Sequence, residues 1–145
     1  MTETWRMGAT EVATLVRNGK VSAREVAEGA IARIDEVNGK LNAIVRRTDD
    51  DARECAARTD AEHPTGQLAG ATVTTKINTD HAPYPTDNGI KALRDNVATA
   101  VHPVIRGLLD AGLTMVGRTN SPAFAMRFHT QNELHGRSEE HTSEL

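Results

Sequence analysis

Lys76 is the residue whose type and position could do acid–base chemistry. It lies at the end of residues 71–77, a short β-branched segment that we predict to be a strand, and it shares one strand face with Thr72 and Thr74. Inside a parallel sheet both faces are covered, and burial disfavours the charged form of an amine, which could then accept a proton. The alternative, which the pattern alone favours, is a strand-end lysine whose amine reaches solvent.

The other candidates for chemistry have simpler interpretations. Asp80 and His81 are neighbours on a loop, where adjacent side chains often point apart, and no Gly-x-Ser-x-Gly elbow accompanies them. His129 and His135 lack the His-Glu-x-x-His spacing of a metal site, so we interpret them as solvated surface. The single cysteine, Cys55, shares a helix side with small residues and is interpreted as a core residue.

Residues 1–62 are expected to be helical. Ser22 and Glu25 form a capping box that begins a helix, and its apolar stripe runs to a stop at Asn38 and Gly39. Around it we predict a helix over 9–18, a brief extended piece over 41–45 and a helix over 48–60.

Residues 66–136 change character and predict an α/β unit. The strand over 71–77 is followed by a long loop, an apolar helical stripe over 101–109 and a second strand over 113–118, so the two strands should pair in parallel. Asn120 to Pro122 should open another helix. Because two parallel strands do not make a stable sheet, we expect part of a larger α/β domain.

Composition excludes several classes of protein. The chain has 145 residues, a net charge of −3 and 38% apolar residues. No apolar run approaches the roughly 18 residues of a membrane span, and the amino terminus lacks the apolar region of a secretory signal, so we expect a cytoplasmic protein without membrane contact. Mild acidity without a basic stripe argues against nucleic-acid binding, and one cysteine excludes an internal disulfide.

The chain resembles the amidase signature family over almost all of its length before residue 137. No single matching piece is decisive, but their order and spacing together are specific. The pieces are residues 21–26, 38–43, 68–70, the strand that ends in Lys76, 78–89, 112–120, 121–124 and 132–136.

The resemblance implies an α/β fold with a large mixed sheet flanked by helices, of which this chain is the amino-terminal, incomplete portion. Family members hydrolyse carboxylic amides of small molecules through a Ser–cis-Ser–Lys triad without a metal or an organic cofactor. Lys76 matches the triad lysine, which reverses the preference stated above. Phe124, Met126 and Phe128 match a segment that lines the acyl pocket, although core packing would explain them equally well.

Both triad serines and the Gly/Ser-rich oxyanion loop are expected after Gly136, so the chain alone should be inactive. Residues 137–145 resemble the translation of a sequencing-adapter oligonucleotide, and we expect them to be non-native or disordered. The sequence departs from the family pattern at residues 71–72, Ile77, Pro83 and Ala123. Two alternatives stay open: a non-catalytic protein-interaction module, and the amidase subunit of a transfer-RNA-dependent amidotransferase. A homo-oligomer of the longer protein also stays open.

Overall fold

The computed structural model describes residues 3–62 and 66–139. None of the helices in these two ranges is long and apolar enough to cross a membrane. The helices and strands follow one another in the order α1 (Ala9–Arg17), α2 (Ala23–Leu41), β1 (Ile44–Arg47), α3 (Asp49–Glu62), β2 (Thr72–Lys76), α4 (Pro103–Asp110), β3 (Thr114–Thr119), β4 (Gln131–Asn132) and β5 (Gly136–Arg137).

Helix α2 begins as its sequence predicts and ends later. The Ser22 hydroxyl accepts a hydrogen bond from the Glu25 amide, and the Glu25 carboxylate accepts one from the Ser22 amide, which confirms the capping box. The predicted stop at Asn38 is wrong, because the Asn38 side chain bonds both backbone groups of Ile44 instead of ending the helix. Asn42 ends it in the left-handed region, at a φ of 49°.

A three-stranded sheet has β3 at its centre. β2 pairs with β3 in parallel, as predicted, and β1 pairs with β3 antiparallel. β1 is the extended piece predicted between two helices of the first 62 residues, and it supplies the other edge strand of the sheet. This strand begins three residues later than the predicted extended piece, because α2 extends to Leu41.

Helices α1, α2 and α3, together called the helical layer, bury the apolar residues of the fold. The core consists mostly of small aliphatic side chains, which allows the helices to approach the sheet closely. Its larger cluster contains Val12, Val16, Ala23, Val26, Ala27, Ala56, Ala71 and Leu113. The stripe predicted on α4 is only partly core: Ile105 is buried, whereas Val104 is 64% exposed, because this short helix packs along one narrow side.

Residues 77–90 and 120–139 follow the carboxyl ends of β2 and β3, and we call them the carboxyl-edge loops. Strands β4 and β5 form a two-stranded antiparallel pair within them. The Ser138 amide donates to the Thr130 carbonyl and the Glu139 amide donates to the Leu41 carbonyl, so the described start of the predicted tail is hydrogen-bonded. Residues 140–145 of that tail lie outside the described residues, and its non-native origin stays a prediction.

Candidate active site

Lys76 is the last residue of β2 and lies opposite Thr119, the last residue of β3. The predicted alternation is present at this end of the strand: Thr74 and Lys76 are exposed, while Thr75 and Ile77 are buried. The expectation that Lys76 lies in the interior is wrong for this structure. β2 is an edge strand, and among the described residues the side chains of Thr74 and Lys76 on this face are exposed.

Arg118 fixes the backbone around Lys76. It is fully buried on β3, and its guanidinium donates hydrogen bonds to the carbonyl oxygens of Lys76 at 3.0 Å, Thr79 at 2.5 Å and Pro85 at 2.5 Å. Burial lowers the pKa of this guanidinium. We did not single out Arg118 from the sequence. The available signal was an arginine inside residues 113–118, a segment otherwise without charge.

A buried carboxylate joins the two carboxyl-edge loops. Asp87 is 1% exposed, and its Oδ1 accepts a hydrogen bond from the Gly89 amide at 2.8 Å. Its Oδ2 lies 3.0 Å from Nε2 of His135. The interpretation of His135 as solvated surface is therefore wrong, because the imidazole pairs with a carboxylate that the packing of these loops has removed from water. His129, interpreted in the same way, is exposed.

Asn132 organises the second of these loops. Its side-chain amide donates to Oδ1 of Asn120 and to the Ser121 carbonyl, and its Oδ1 accepts from the amides of Leu134 and His135. Three of these bonds satisfy backbone groups, those of Ser121, Leu134 and His135. The polypeptide after β3 is thus held by side-chain amides in addition to the short β4–β5 pair.

His81 and Asp80 do not form an acid–base pair. His81 is buried with its ring edge-on to Tyr84, at 5.5 Å between centroids, whereas Asp80 is exposed. Burial lowers the pKa of His81, and the positive charges of Arg118 and Arg106 lower it further. The interpretation of His81 as a loop histidine without a catalytic role stays a prediction.

Phe124, Met126 and Phe128 are exposed, which rules out core packing as their role in the described structure. The helix predicted to open at residues 120–122 does not form, and only a 3-10 turn, Ala123–Ala125, is present. The cause is local. The Phe124 amide donates to the Asn88 carbonyl, and Phe124 and Ala125 adopt left-handed φ values of 51° and 57°. Their contact with a substrate stays a prediction.

Cys55 is half-buried on α3. The hydroxyl of Thr114 on β3 lies 3.8 Å from its sulfur, so the cysteine contributes to the contact between the helical layer and the sheet. This position agrees with its interpretation as a small packing residue.

The sequence matches the protein-family model named Amidase over residues 25–140, which is most of the chain. The chain belongs to the amidase family. The amidase match includes β1, β2 and β3 and therefore Lys76 and Arg118. The order of elements that positions Lys76 is thus a property of a family as well as of this sequence.

Relatives and solved structures agree with the amidase assignment. The chain is 36% identical over 136 residues to an indoleacetamide hydrolase of Bradyrhizobium diazoefficiens and 33% identical over 140 residues to a glutamyl-tRNA(Gln) amidotransferase subunit of Thermobifida fusca. These alignments cover 91% and 94% of this chain, but only 26% and 28% of the relatives. A bacterial aryl acylamidase of the amidase signature family superposes with a TM-score of 0.83 at 32% identity, over 91% of this chain and 29% of that one. The chain therefore spans about a quarter of the length of these amidases.

Proposed function

We propose that the protein to which this chain contributes hydrolyses carboxylic amides of small molecules, with Lys76 as a proton-transfer residue. One observation carries the proposal: Lys76 ends a parallel strand with its peptide oxygen bonded to a buried arginine, while its side chain extends from the face that the helices leave uncovered. Carboxyl ends of parallel strands are where α/β proteins commonly place their sites. Identity to an indoleacetamide hydrolase over 91% of the chain supports amides as the substrate class.

In the proposed reaction, Lys76 accepts a proton from a bridging serine as that serine deprotonates a second, nucleophilic serine. The nucleophile attacks the amide carbonyl, the C–N bond breaks, the amine leaves with a proton, and water cleaves the resulting ester. Backbone amides stabilise the negative oxygen that forms on the way. Since a lysine amine in water holds its proton at neutral pH, the proposal requires that further polypeptide covers the face of Thr74 and Lys76.

None of the described serines is assigned to either role. Ser22 caps α2 and contacts Glu25, far along the chain from the carboxyl edge. The Ser121 hydroxyl donates to the Pro122 carbonyl and is buried, and Ser138 is buried beside the β4–β5 pair. The proposal therefore places both serines outside the described residues.

The test compares Lys76→Ala with Thr74→Ala in the longest product encoded by the gene. Thr74 is the matched control because it lies two residues earlier on the same exposed face of β2. We expect Lys76→Ala to lower kcat for an aryl acylamide or indoleacetamide by about 10²–10⁴-fold, the usual contribution of a proton-transfer group, and Thr74→Ala to leave it unchanged. Both variants should melt within a few degrees of each other, because Thr74 and Lys76 lie on the same face of β2 and the control shares any loss of packing there. Full activity of Lys76→Ala would reject the proposed role.

A transamidation role is the second candidate, and identity to a glutamyl-tRNA(Gln) amidotransferase subunit over 94% of the chain favours it. Such a protein would supply ammonia to a partner, so free amide hydrolysis without a partner separates the two. The interaction-module alternative predicts instead that the 145-residue protein melts cooperatively and binds a partner along the exposed edge of β2. A cytoplasmic location and a homo-oligomer remain predictions.

A further inference from the structure

The guanidinium of Arg118 donates hydrogen bonds to backbone oxygens, whereas buried arginines usually contact carboxylates. Its three acceptors belong to Lys76, Thr79 and Pro85, and they lie within ten residues of one another along the chain. Within the described part of the chain no carboxylate forms an ion pair with Arg118, and its Nε is buried without a hydrogen-bond partner. The guanidinium is thus hydrogen-bonded to a single stretch of backbone, and the carboxylates of Asp87 and Asp80 favour its charged form from farther away.

Those acceptors connect the end of a strand to the loop that follows it. The ladder between β2 and β3 orders the chain up to Lys76, and the Ile77 amide extends it by donating to the Thr119 carbonyl. After that, the turn from Lys76 to Thr79 has a single backbone bond, from the Thr79 amide to the Lys76 carbonyl. Arg118 adds bonds to the Lys76 carbonyl and to two oxygens farther along the same loop.

We propose that Arg118 is the positioning residue for Lys76. It fixes the peptide plane at the carboxyl side of Lys76, and with it the direction in which the lysine side chain leaves the strand. This assignment rests on the proposed amide hydrolysis. A long side chain magnifies a rotation at its Cα, and a displacement of about 1 Å at a reacting group can lower a rate by about 10²-fold.

The three hydrogen bonds use the forked shape of an arginine side chain. A guanidinium is planar and presents five N–H donors on three nitrogens. Here its two terminal nitrogens donate to three separate carbonyl oxygens. A lysine in the same place keeps the charge but offers its donors from one atom. Arg118→Lys therefore removes the fork while preserving the charge, and it separates positioning from electrostatics.

The experiment measures steady-state kinetics of the longest gene product with Arg118→Lys and, as control, Arg47→Lys. Arg47 lies on β1 in the same sheet and pairs with Asp35 and Asp49 at the surface. We expect Arg118→Lys to lower kcat by about 10-fold to 10²-fold with KM changed less than twofold, and Arg47→Lys to change neither. The concentration of active sites is titrated in each sample, so that kcat is given per active site. A purely structural role of Arg118 would lower the amount of active protein and its melting temperature and leave this kcat unchanged.

Hydrogen exchange on the same proteins tests, without measuring turnover, whether Arg118 orders the backbone around Lys76. Arg118→Lys should speed exchange at the amides of Ile77 and Thr79 by at least about 10-fold, while the amide of Val26 in α2 exchanges as in the wild type. If Arg118→Lys does not fold, Arg118→Gln, which is neutral and retains two donors, is measured in the same way. Unchanged kcat, uniformly faster exchange or failure of both variants to fold would overturn the proposal. A wild type without amide hydrolysis would reject the proposed function, and the exchange data would still test whether Arg118 orders the end of β2.

Discussion

The helical layer and the carboxyl-edge loops are held together by different forces. In the helical layer, small aliphatic residues such as Val16, Val26 and Ala56 pack against the sheet and are almost completely buried. In the carboxyl-edge loops, Arg118 and Asn132 hold the backbone through hydrogen bonds, while Phe128 is fully exposed. The layer is apolar inside, whereas the loops bury the carboxylate of Asp87 and expose Phe124 and Phe128.

This contrast supports the proposal that the helical layer acts as a scaffold and that the carboxyl-edge loops carry the chemistry. Helices α1, α2 and α3 pack closely against β2 and the start of β3, so the helical layer fixes the positions of these strands. Backbone segments without regular hydrogen bonds need side-chain partners, and those polar groups are also the ones available for recognition. The exposed aromatic residues lie beside them, on residues 124–128.

The largest difference in unfolding free energy should be between substitutions at Ile31, in the helical layer, and at Met126, in a carboxyl-edge loop. Ile31 is buried against Ala52 and Val116, so Ile31→Ala should lower the free energy of unfolding by about 2–5 kcal/mol. Met126 is 81% exposed, and Met126→Ala should change it by less than about 0.5 kcal/mol. Urea unfolding of both variants measures the two values. Equal losses would mean that residues 120–139 are packed as tightly as the helical layer.

Asn132 tests whether hydrogen bonds replace apolar packing in the loops. Asn132→Ala leaves the Leu134 and His135 amides without their acceptor and should cost about 1–3 kcal/mol of unfolding free energy. Gln131 is its exposed neighbour, and Gln131→Ala should cost less than about 0.5 kcal/mol. The comparison is made by thermal or urea unfolding. A cost for Asn132→Ala no greater than that for Gln131→Ala would show that the amide network contributes nothing.

The smallest effect is a pH dependence from His81. Because its pKa in the folded protein lies below the ordinary value of 6.5, the unfolded chain binds its proton first as the pH falls. Stability should therefore drop as the pH decreases below about 6.5, by at most about 1.4 kcal/mol per pH unit from this group, and level off below the folded pKa.

His81→Phe keeps a ring against Tyr84 and should remove this part of the pH dependence between pH 7 and 5. His129→Phe, at an exposed position, serves as the control and should leave the slope unchanged. Unfolding free energies measured across that interval give the slopes. A wild-type slope retained in His81→Phe would assign the acid sensitivity to other groups.

The helical layer could be predicted from sequence because its signals are local. The capping box at Ser22 and the apolar periodicity of α2 are confirmed. The parallel pairing of β2 with β3, the strands on which the layer packs, is confirmed as well. What failed was the end of α2, since the Asn38 side chain bonds Ile44, a contact that depends on where the next strand lies. Short-range patterns do not contain that information.

The candidate site could be predicted only in part. Lys76 was identified with its correct strand and neighbours, but its exposure follows from β2 being an edge strand, which depends on sheet order. Arg118 and the Asp87–His135 pair were missed because their partners are backbone oxygens or residues 48 positions away. The 3-10 turn at Ala123–Ala125 depends on the distant Asn88 carbonyl, so proline at position 122 gave the wrong prediction of a helix.

The central claim is that this chain supplies Lys76 to an amide hydrolase whose two serines lie beyond Gly136. Sequencing the gene in its own genomic DNA across the codon for Gly136 tests it most directly. The account predicts that the reading frame continues into a Gly/Ser-rich segment with two serines and replaces the residues at 138–145. A genomic frame that encodes residues 137–145 as they stand and then stops would leave Lys76 without a nucleophile and contradict it.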